Sequence, residues 1–170
     1  MIQRIQSFLL VLALVGFVLL FLFPTATYEA TDSVGNITTS ELNLIKKSGP
    51  SEGSEIGDLS KSFMPQNSIL LMALAIILGI GTLVSIFMYK NRIRQMRFVS
   101  FLALVNLLYI GLMFLSTIPD GEKVLANLGA VATTYSVGTY VPLITIVLIV
   151  IAQRAIRRDE MKVRAADRIR

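Results

Sequence analysis

The chain contains no cysteine and no histidine, and only 16% of its residues are charged. Without cysteine it cannot form a disulfide bond. Without either residue, thiolate or imidazole metal sites, haem ligation by histidine, and Ser–His or Cys–His catalysis lose their usual groups. Carboxylates, tyrosines and lysines are the remaining proton-transfer groups. The composition therefore disfavours an enzyme, and we expect no cofactor and no metal.

Charged residues are absent from the middle of four long apolar stretches. A soluble domain carries about 25% charged residues, whereas this chain is 54% hydrophobic. About 20 apolar helical residues cross a hydrocarbon core of about 30 Å. The sequence predicts an all-α membrane protein, a single domain over 1–170 with four spanning helices at about 5–23, 68–89, 98–118 and 135–156.

The first and last predicted spans each carry an ambiguity. The apolar run at 5–23 is longer than the 7–15 residues of a signal-peptide core, which favours an uncleaved helix. The last uncharged stretch contains Pro142 and begins with small and polar residues. Proline is tolerated where neighbouring groups satisfy the freed backbone. We therefore expect the span to begin near Tyr135, and the preceding 121–134 segment to lie at the membrane interface.

Two connections differ sharply in character. The 24–66 loop is rich in Ser, Thr and Gly, and it predicts irregular structure with either a short hairpin or a surface helical turn at 26–45. The connection "KNRIRQMR" at 90–97 is too short for anything except two adjacent antiparallel helices. Spans two and three are therefore expected to form a helical hairpin.

The charge distribution predicts one orientation. The 90–97 connection has four bases and no acid, the 154–170 tail has seven bases against three acids, and Arg4 precedes the first span. The 24–66 loop has six acids against three bases, and 119–134 has two acids against one base. Because cytoplasmic loops collect Lys and Arg, four spans with both termini in the cytoplasm fit every segment.

The polar and small residues within the spans predict helix packing. Asn106 lies in the middle of the third span and should hydrogen-bond another helix; a ligand-binding role is the alternative. In the second span, small residues recur four apart, a spacing that lets helices approach closely. They could pack inside the bundle or against a helix of a partner: Ala75, Gly79, Gly81 and Ser85.

The basic tail "RAIRRDEMKVRAADRIR" is expected to continue the fourth helix with its charges segregated. Asp159, Glu160 and Asp167 fall opposite most of the bases. Three roles for the tail are open: it fixes the orientation by contacting anionic headgroups, it docks on a partner, or it contacts ribosomal RNA. Contact with RNA is disfavoured because no aromatic residues alternate with the bases. The candidate contact residues are Arg154, Arg157, Arg158, Lys162, Arg164 and Arg168.

The two ends of the chain, "MIQRIQ" and "RAIRRDEMKVRAADRIR", together with the four spans, resemble a family of small inner-membrane proteins of Bacteroidota that is catalogued only as a domain of unknown function. The resemblance covers the whole chain. It implies a bacterial inner-membrane protein with cytoplasmic termini, and it brings no catalytic residues. It also implies that the ends are more than generic charge.

Three functions fit these features. We expect a non-enzymatic accessory or scaffold subunit that packs against a larger inner-membrane complex, such as a translocase or a respiratory assembly. One alternative is a channel or carrier for a small neutral solute, lined by Asn106, Tyr109 and the Thr/Ser cluster at 133–139. The other is a membrane-embedded enzyme that uses Asp32 or Glu41.

Overall fold

The computed structural model describes residues 3–31, 37–44, 68–126 and 130–167. This part of the chain is mostly helical, with a small sheet at one end. The helices are α1 (Gln3–Leu19), α2 (Ser68–Phe87), α3 (Arg92–Leu112), α4 (Ile118–Ala126) and α5 (Val137–Asp167). The strands are β1 (Ala26–Thr31), β2 (Ile37–Leu42) and β3 (Ala130–Tyr135). A 3-10 turn, Met88–Lys90, links α2 to α3.

Three helical segments are long and apolar enough to cross a membrane: Ile69–Phe87, Arg92–Asp120 and Val137–Val163. Their outward surfaces carry large apolar side chains, which suits lipid rather than water. α1 is apolar but shorter, with its apolar part at Ile5–Leu19. The second, third and fourth predicted spans therefore correspond to helices of sufficient length, whereas the first corresponds to a shorter helix.

α1 ends in a turn with hydrogen bonds between residues three apart, which is followed by a proline. The amides of Phe21 and Leu22 donate to the carbonyls of Val18 and Leu19, three residues back rather than four. The next proline, Pro24, disfavours helical geometry at the residue before it. The apolar run of the sequence thus continues to Phe23 as a turn after the regular helix has ended.

The long helical segment Arg92–Asp120 contains a π-helical turn, Met113–Thr117, between α3 and α4. Pro119 explains the position of the π-helical turn. Proline has no backbone N–H to donate, and its ring clashes with the carbonyl four residues back. The Ile118 amide instead donates to Met113, five residues back. The hydroxyls of Ser116 and Thr117 both donate to the Leu112 carbonyl, at 2.7 and 3.4 Å. The helix therefore runs on past the proline.

The sheet corrects the all-α expectation. Its order is β2-β1-β3, and both pairings are antiparallel. The hairpin of β1 and β2 confirms one of the two alternatives for 26–45. The pairing of β3 with β1, Ala26 opposite Tyr135, was not predicted, because 121–134 was expected to be interfacial. β1 alternates in burial, with Ala26 and Tyr28 inward and Glu29 outward, as expected for a half-buried strand.

The helices pack around one apolar core. α1 contacts α2 and α5, while α3 contacts α2 and α5. Two close approaches depend on glycine: Gly16 of α1 lies against Thr145 of α5, and Gly81 of α2 lies against Leu102 of α3. α4 contacts β1 and β3, and the Tyr28 hydroxyl donates to the Ile118 carbonyl at 3.0 Å. The sheet is thereby attached to the end of the helical segment Arg92–Asp120.

Candidate functional site: the basic end of the bundle

Three parts of the chain meet at the end of the bundle away from the sheet. They are the first turns of α1, the turn between α2 and α3, and the last turns of α5. The Gln6 side-chain amide of α1 donates to the Asp159 carboxylate of α5. Arg92 lines one groove with Gln6 and a second groove with Glu160. We call this region the basic end.

The basic end presents its positive charges outward. On α5 the side chains of Arg154, Arg157, Arg158 and Lys162 are all exposed. On α3 two further arginines are exposed and Arg92 is half-buried; the exposed pair is Arg94 and Arg97. The side chains of Arg164 and Arg168, which were also predicted contact residues, lie outside the part that the structure describes. The four described candidates on α5 form the surface that we call the basic face.

Asp159 is turned away from the exposed bases of α5 and toward α1. Its side chain is only 6% exposed and contacts Gln6. The physical reason is the buried seam of α5, which recurs at steps of four and three residues. Its members are Thr145, Ile149, Ala152, Ile156 and Asp159. Asp159 continues this seam, so it turns toward α1.

Gln6 is therefore a residue that sequence analysis missed. It is 6% exposed, and its hydrogen bond to Asp159 joins residues 153 positions apart. Asp159 makes no ion pair with any described residue. Burying a charged group without a hydrogen bond is costly, and the Gln6 amide supplies one. No local pattern in the sequence marks Gln6, because its partner lies on the distant helix α5.

The small residues of α2 lie at contacts within the chain. Ala75 is fully buried, and Gly79 is 4.0 Å from the Phe17 Cβ of α1, measured from an ideal Cβ. Gly81 has no room for a side chain beside Leu102. The Ser85 carbonyl accepts a hydrogen bond from the Gln95 amide at 2.9 Å. These positions join α2 to α1 and α3, which supports the interpretation as internal packing.

Asn106 lies between α3 and α5. Its amide nitrogen is 3.1 Å from the Thr145 hydroxyl and 3.4 Å from the Pro142 carbonyl. The Thr145 hydroxyl in turn donates to Pro142 at 2.9 Å. The Asn106 carbonyl and the Tyr109 hydroxyl are buried without a partner among the described residues. The amide thus links α3 to the proline turn of α5.

The Thr/Ser cluster at 133–139 belongs to the sheet end. The Ser136 and Thr27 hydroxyls are 2.9 Å apart, and the Thr139 hydroxyl donates to the Thr25 carbonyl. The Ser136 and Gly138 amides donate to Thr25 and Pro24. These bonds satisfy donors at the start of α5, where a helix leaves its first amides unpaired. The cluster anchors α5 to the turn after α1.

The acidic candidates do not meet in one site. Glu41 is exposed on β2 and accepts a hydrogen bond from the Asn43 amide at 3.4 Å. Asp32 lies outside the described residues. Within the described ranges, no group of three or more acidic, His or Cys residues is arranged to hold a metal ion. Burial, followed by the charges of Glu122 and Tyr135, raises the pKa of the Tyr28 hydroxyl.

The comparisons establish the family of this chain. Residues 2–169 match the family described as "Domain of unknown function (DUF4293)". Because the match covers nearly the whole chain, the protein belongs to that family. No curated protein is significantly similar to it. The family description carries no activity, so any function is inferred from the residues themselves.

Proposed function

We propose that this protein is a non-enzymatic accessory or scaffold subunit of a larger complex in the bacterial inner membrane. The observation that carries the proposal is the basic face of α5. Its arginines and lysine are exposed, whereas the neighbouring acid, Asp159, is turned inward against Gln6. The outward surface of this helix therefore presents its bases with Asp159 turned away from them, and it suits an acidic partner.

The length of α5 supports a docking role. The helix has 31 residues, which corresponds to about 46 Å at 1.5 Å per residue. A hydrocarbon core of about 30 Å uses roughly 20 of them. About ten residues thus extend beyond the hydrocarbon core as a helix that carries most of the basic face: Arg157, Arg158 and Lys162. A charged stop signal needs positive charge near the membrane but no protruding helix.

Four crossings are part of the proposal, with α1 as the fourth. α1 contacts α5 at two positions along the helix axis. Gln6 forms a hydrogen bond with Asp159, and Gly16 lies against Thr145. The turn after α1 then reaches the start of α5, where Pro24 accepts from Gly138. From Gly138 to Asp159 a helix rises about 32 Å. α1 with its turn therefore extends along the same thickness that α5 crosses, despite its shorter regular helix.

The proposed orientation follows from the two ends. The basic end holds the exposed arginines of α3 and α5, and cytoplasmic segments collect Arg and Lys. The opposite end holds the sheet. We therefore propose that both termini face the cytoplasm and that the sheet lies outside. Membrane lipids and a complex such as a translocase or a respiratory assembly are the proposed partners.

The alternatives have less support. A pore for a small neutral solute would need a continuous polar cavity through the bundle, but the Asn106 amide is directed at Thr145 and Pro142. The Asn106 carbonyl and the Tyr109 hydroxyl have no partner among the described residues, yet both side chains are fully buried in the packed bundle. The packing role of Asn106 is sufficient to explain that geometry. A membrane-embedded enzyme would need a carboxylate pair at one pocket, and Glu41 lies on an exposed strand. Neither alternative is favoured by a specific contact.

Charge removal tests the docking role. Arg157→Gln with Arg158→Gln should strongly reduce co-purification of partner proteins in mild detergent. The matched control is Arg94→Gln with Arg97→Gln, which removes two exposed arginines from the same end of the molecule but leaves the basic face intact. A wild-type protein that purifies without any reproducible partner would contradict the proposal, as would equal loss in both variants.

A further inference from the structure

A groove lies at the basic end between the start of α1 and the start of α3. It encloses about 420 Å³, which is within the range of about 300–1,000 Å³ found for ligand pockets. One wall carries Ser7, Phe8 and Val11 of α1. The other carries Arg92 and Gln95 of α3, with Tyr89 of the preceding turn. We call this feature the Arg92 groove.

The two kinds of side chain in the Arg92 groove suit an amphipathic molecule. Arg92, Tyr89 and Ser7 offer a guanidinium and two hydroxyls as hydrogen-bond donors. Phe8 is 66% exposed and Val11 is 44% exposed, so the apolar wall faces the bundle surface. A ligand with an anionic head and a hydrocarbon chain would contact both walls at once.

The local charge favours an anion. Arg92 makes no ion pair with any described residue. It occupies the first position of α3, where the helix dipole is positive, and the side chain of Asn91 makes no capping bond there. Among the described residues that line the Arg92 groove, none is acidic. The second groove beside Arg92 includes Glu160, so it is less suited to an anion.

Gln6 stands between the Arg92 groove and the nearest buried acid. It lines the groove and donates its amide to Asp159. A hydrogen bond to the carboxylate stabilises that negative charge locally. Asp159 itself does not line the groove.

The position along the bundle matches a membrane interface. α2 ends at Phe87, which is 71% exposed, and Tyr89 and Arg92 follow within five residues. Apolar residues that give way to tyrosine and then arginine are typical of the level of lipid headgroups. Basic pockets between membrane helices at this level bind anionic headgroups.

From this geometry we propose that the Arg92 groove binds one anionic phospholipid. Arg92 and Tyr89 hold the phosphate, and Phe8 and Val11 lie along an acyl chain. The proposal requires the chain to be embedded in a membrane, but it does not depend on a partner complex or on the basic face. Loss of partner co-purification and loss of lipid binding are therefore separable results.

Lipid binding to the full-length protein tests the proposal. The purified protein is titrated in detergent with phosphatidylglycerol or with phosphatidylcholine, and bound lipid is counted by native mass spectrometry. The wild type should retain phosphatidylglycerol in preference. Arg92→Gln should weaken this binding by about tenfold, because it removes a charged hydrogen bond. The matched control, Arg97→Gln, removes an exposed arginine of the same helix that does not line the groove.

Two further variants separate the walls of the groove. Tyr89→Phe and Phe8→Ala should each reduce retention of phosphatidylglycerol, because both side chains line the groove. Both side chains are exposed, so their loss leaves the core intact. Excess glycerol phosphate should not displace the lipid. Equal weakening by Arg92→Gln and Arg97→Gln, no preference of the wild type for phosphatidylglycerol, or displacement by glycerol phosphate alone would overturn the proposal.

Discussion

Gly138, at the start of α5, occupies a position with no space for a side chain. A Cβ there would lie 2.6 Å from the Pro24 carbonyl oxygen and 2.9 Å from that of Phe23. Both atoms belong to backbone, so relief requires movement of the turn that anchors α5. Apart from its own helix backbone, Gly111 of α3 has no atom of a described residue within 4 Å of the corresponding position.

Gly138→Ala should therefore lower the free energy of unfolding by about 1–3 kcal/mol, the usual cost of overpacking. Gly111→Ala is the control and should change it by less than about 1 kcal/mol, since alanine favours a helix over glycine. Thermal unfolding in detergent measures both. Similar thermal unfolding midpoints for the two variants would show that the close contact with the turn at Pro24 does not stabilise α5.

Tyr28 makes stability depend on alkaline pH. Burial raises the pKa of its hydroxyl above the ordinary value of about 10. Because the folded-state pKa exceeds the unfolded-state pKa, the stabilisation from protonated Tyr28 is complete below about pH 10 and is lost as the pH rises further. Tyr28→Phe removes the hydrogen bond to Ile118 and should cost about 1 kcal/mol at neutral pH.

Chemical unfolding of wild type and Tyr28→Phe across alkaline pH tests this dependence. The loss of stability above about pH 10 should be smaller in the variant, because one buried hydroxyl no longer ionises on unfolding. An unchanged alkaline loss would assign the effect to other tyrosines.

At the scale of elements, the bond between Gln6 and Asp159 couples α1 to α5. Hydrogen bonds to charged groups contribute about 1.5–3 kcal/mol. A double-mutant cycle of Gln6→Ala and Asp159→Ala should give a coupling energy of that size in unfolding measurements. The control cycle pairs Gln6→Ala with Arg158→Ala, an exposed neighbour, and should give a value near zero. If Asp159 instead faced a partner, its removal would leave stability unchanged.

Elements differ in how well the sequence predicts them. The long helices follow from apolar runs, because lipid leaves a spanning backbone no partner except itself. β3 was missed because "AVATTY" is small and mixed in polarity, and its place depends on pairing with the distant β1. The regular part of α1 was overestimated, since hydropathy does not register the turn that Pro24 imposes on an apolar run.

The residues of the candidate site also differ in how well the sequence predicts them. The exposed bases of α5 were predicted, because charge avoids lipid and a helix repeats every 3.6 residues. The inward turn of Asp159 depends on where the α1 interface falls, and that is a tertiary contact. The Arg92 groove joins residues more than 80 positions apart, and no local pattern brings Ser7 beside Arg92.

At the scale of the whole molecule, the sheet and the basic end lie at opposite ends of the helices. The acidic residue Glu29 is exposed on β1, and the basic residue Arg158 is exposed on α5. Both the docking surface and the lipid groove are proposed for a molecule that crosses the membrane four times. In that arrangement, Glu29 lies outside and Arg158 lies in the cytoplasm.

The natural absence of cysteine makes this arrangement directly measurable. Single variants Glu29→Cys and Arg158→Cys are labelled with a membrane-impermeant thiol reagent in intact spheroplasts and in inverted vesicles. We predict that Glu29→Cys reacts in spheroplasts only and that Arg158→Cys reacts in inverted vesicles only. Reaction of both variants from the same side would contradict four crossings with a cytoplasmic basic end.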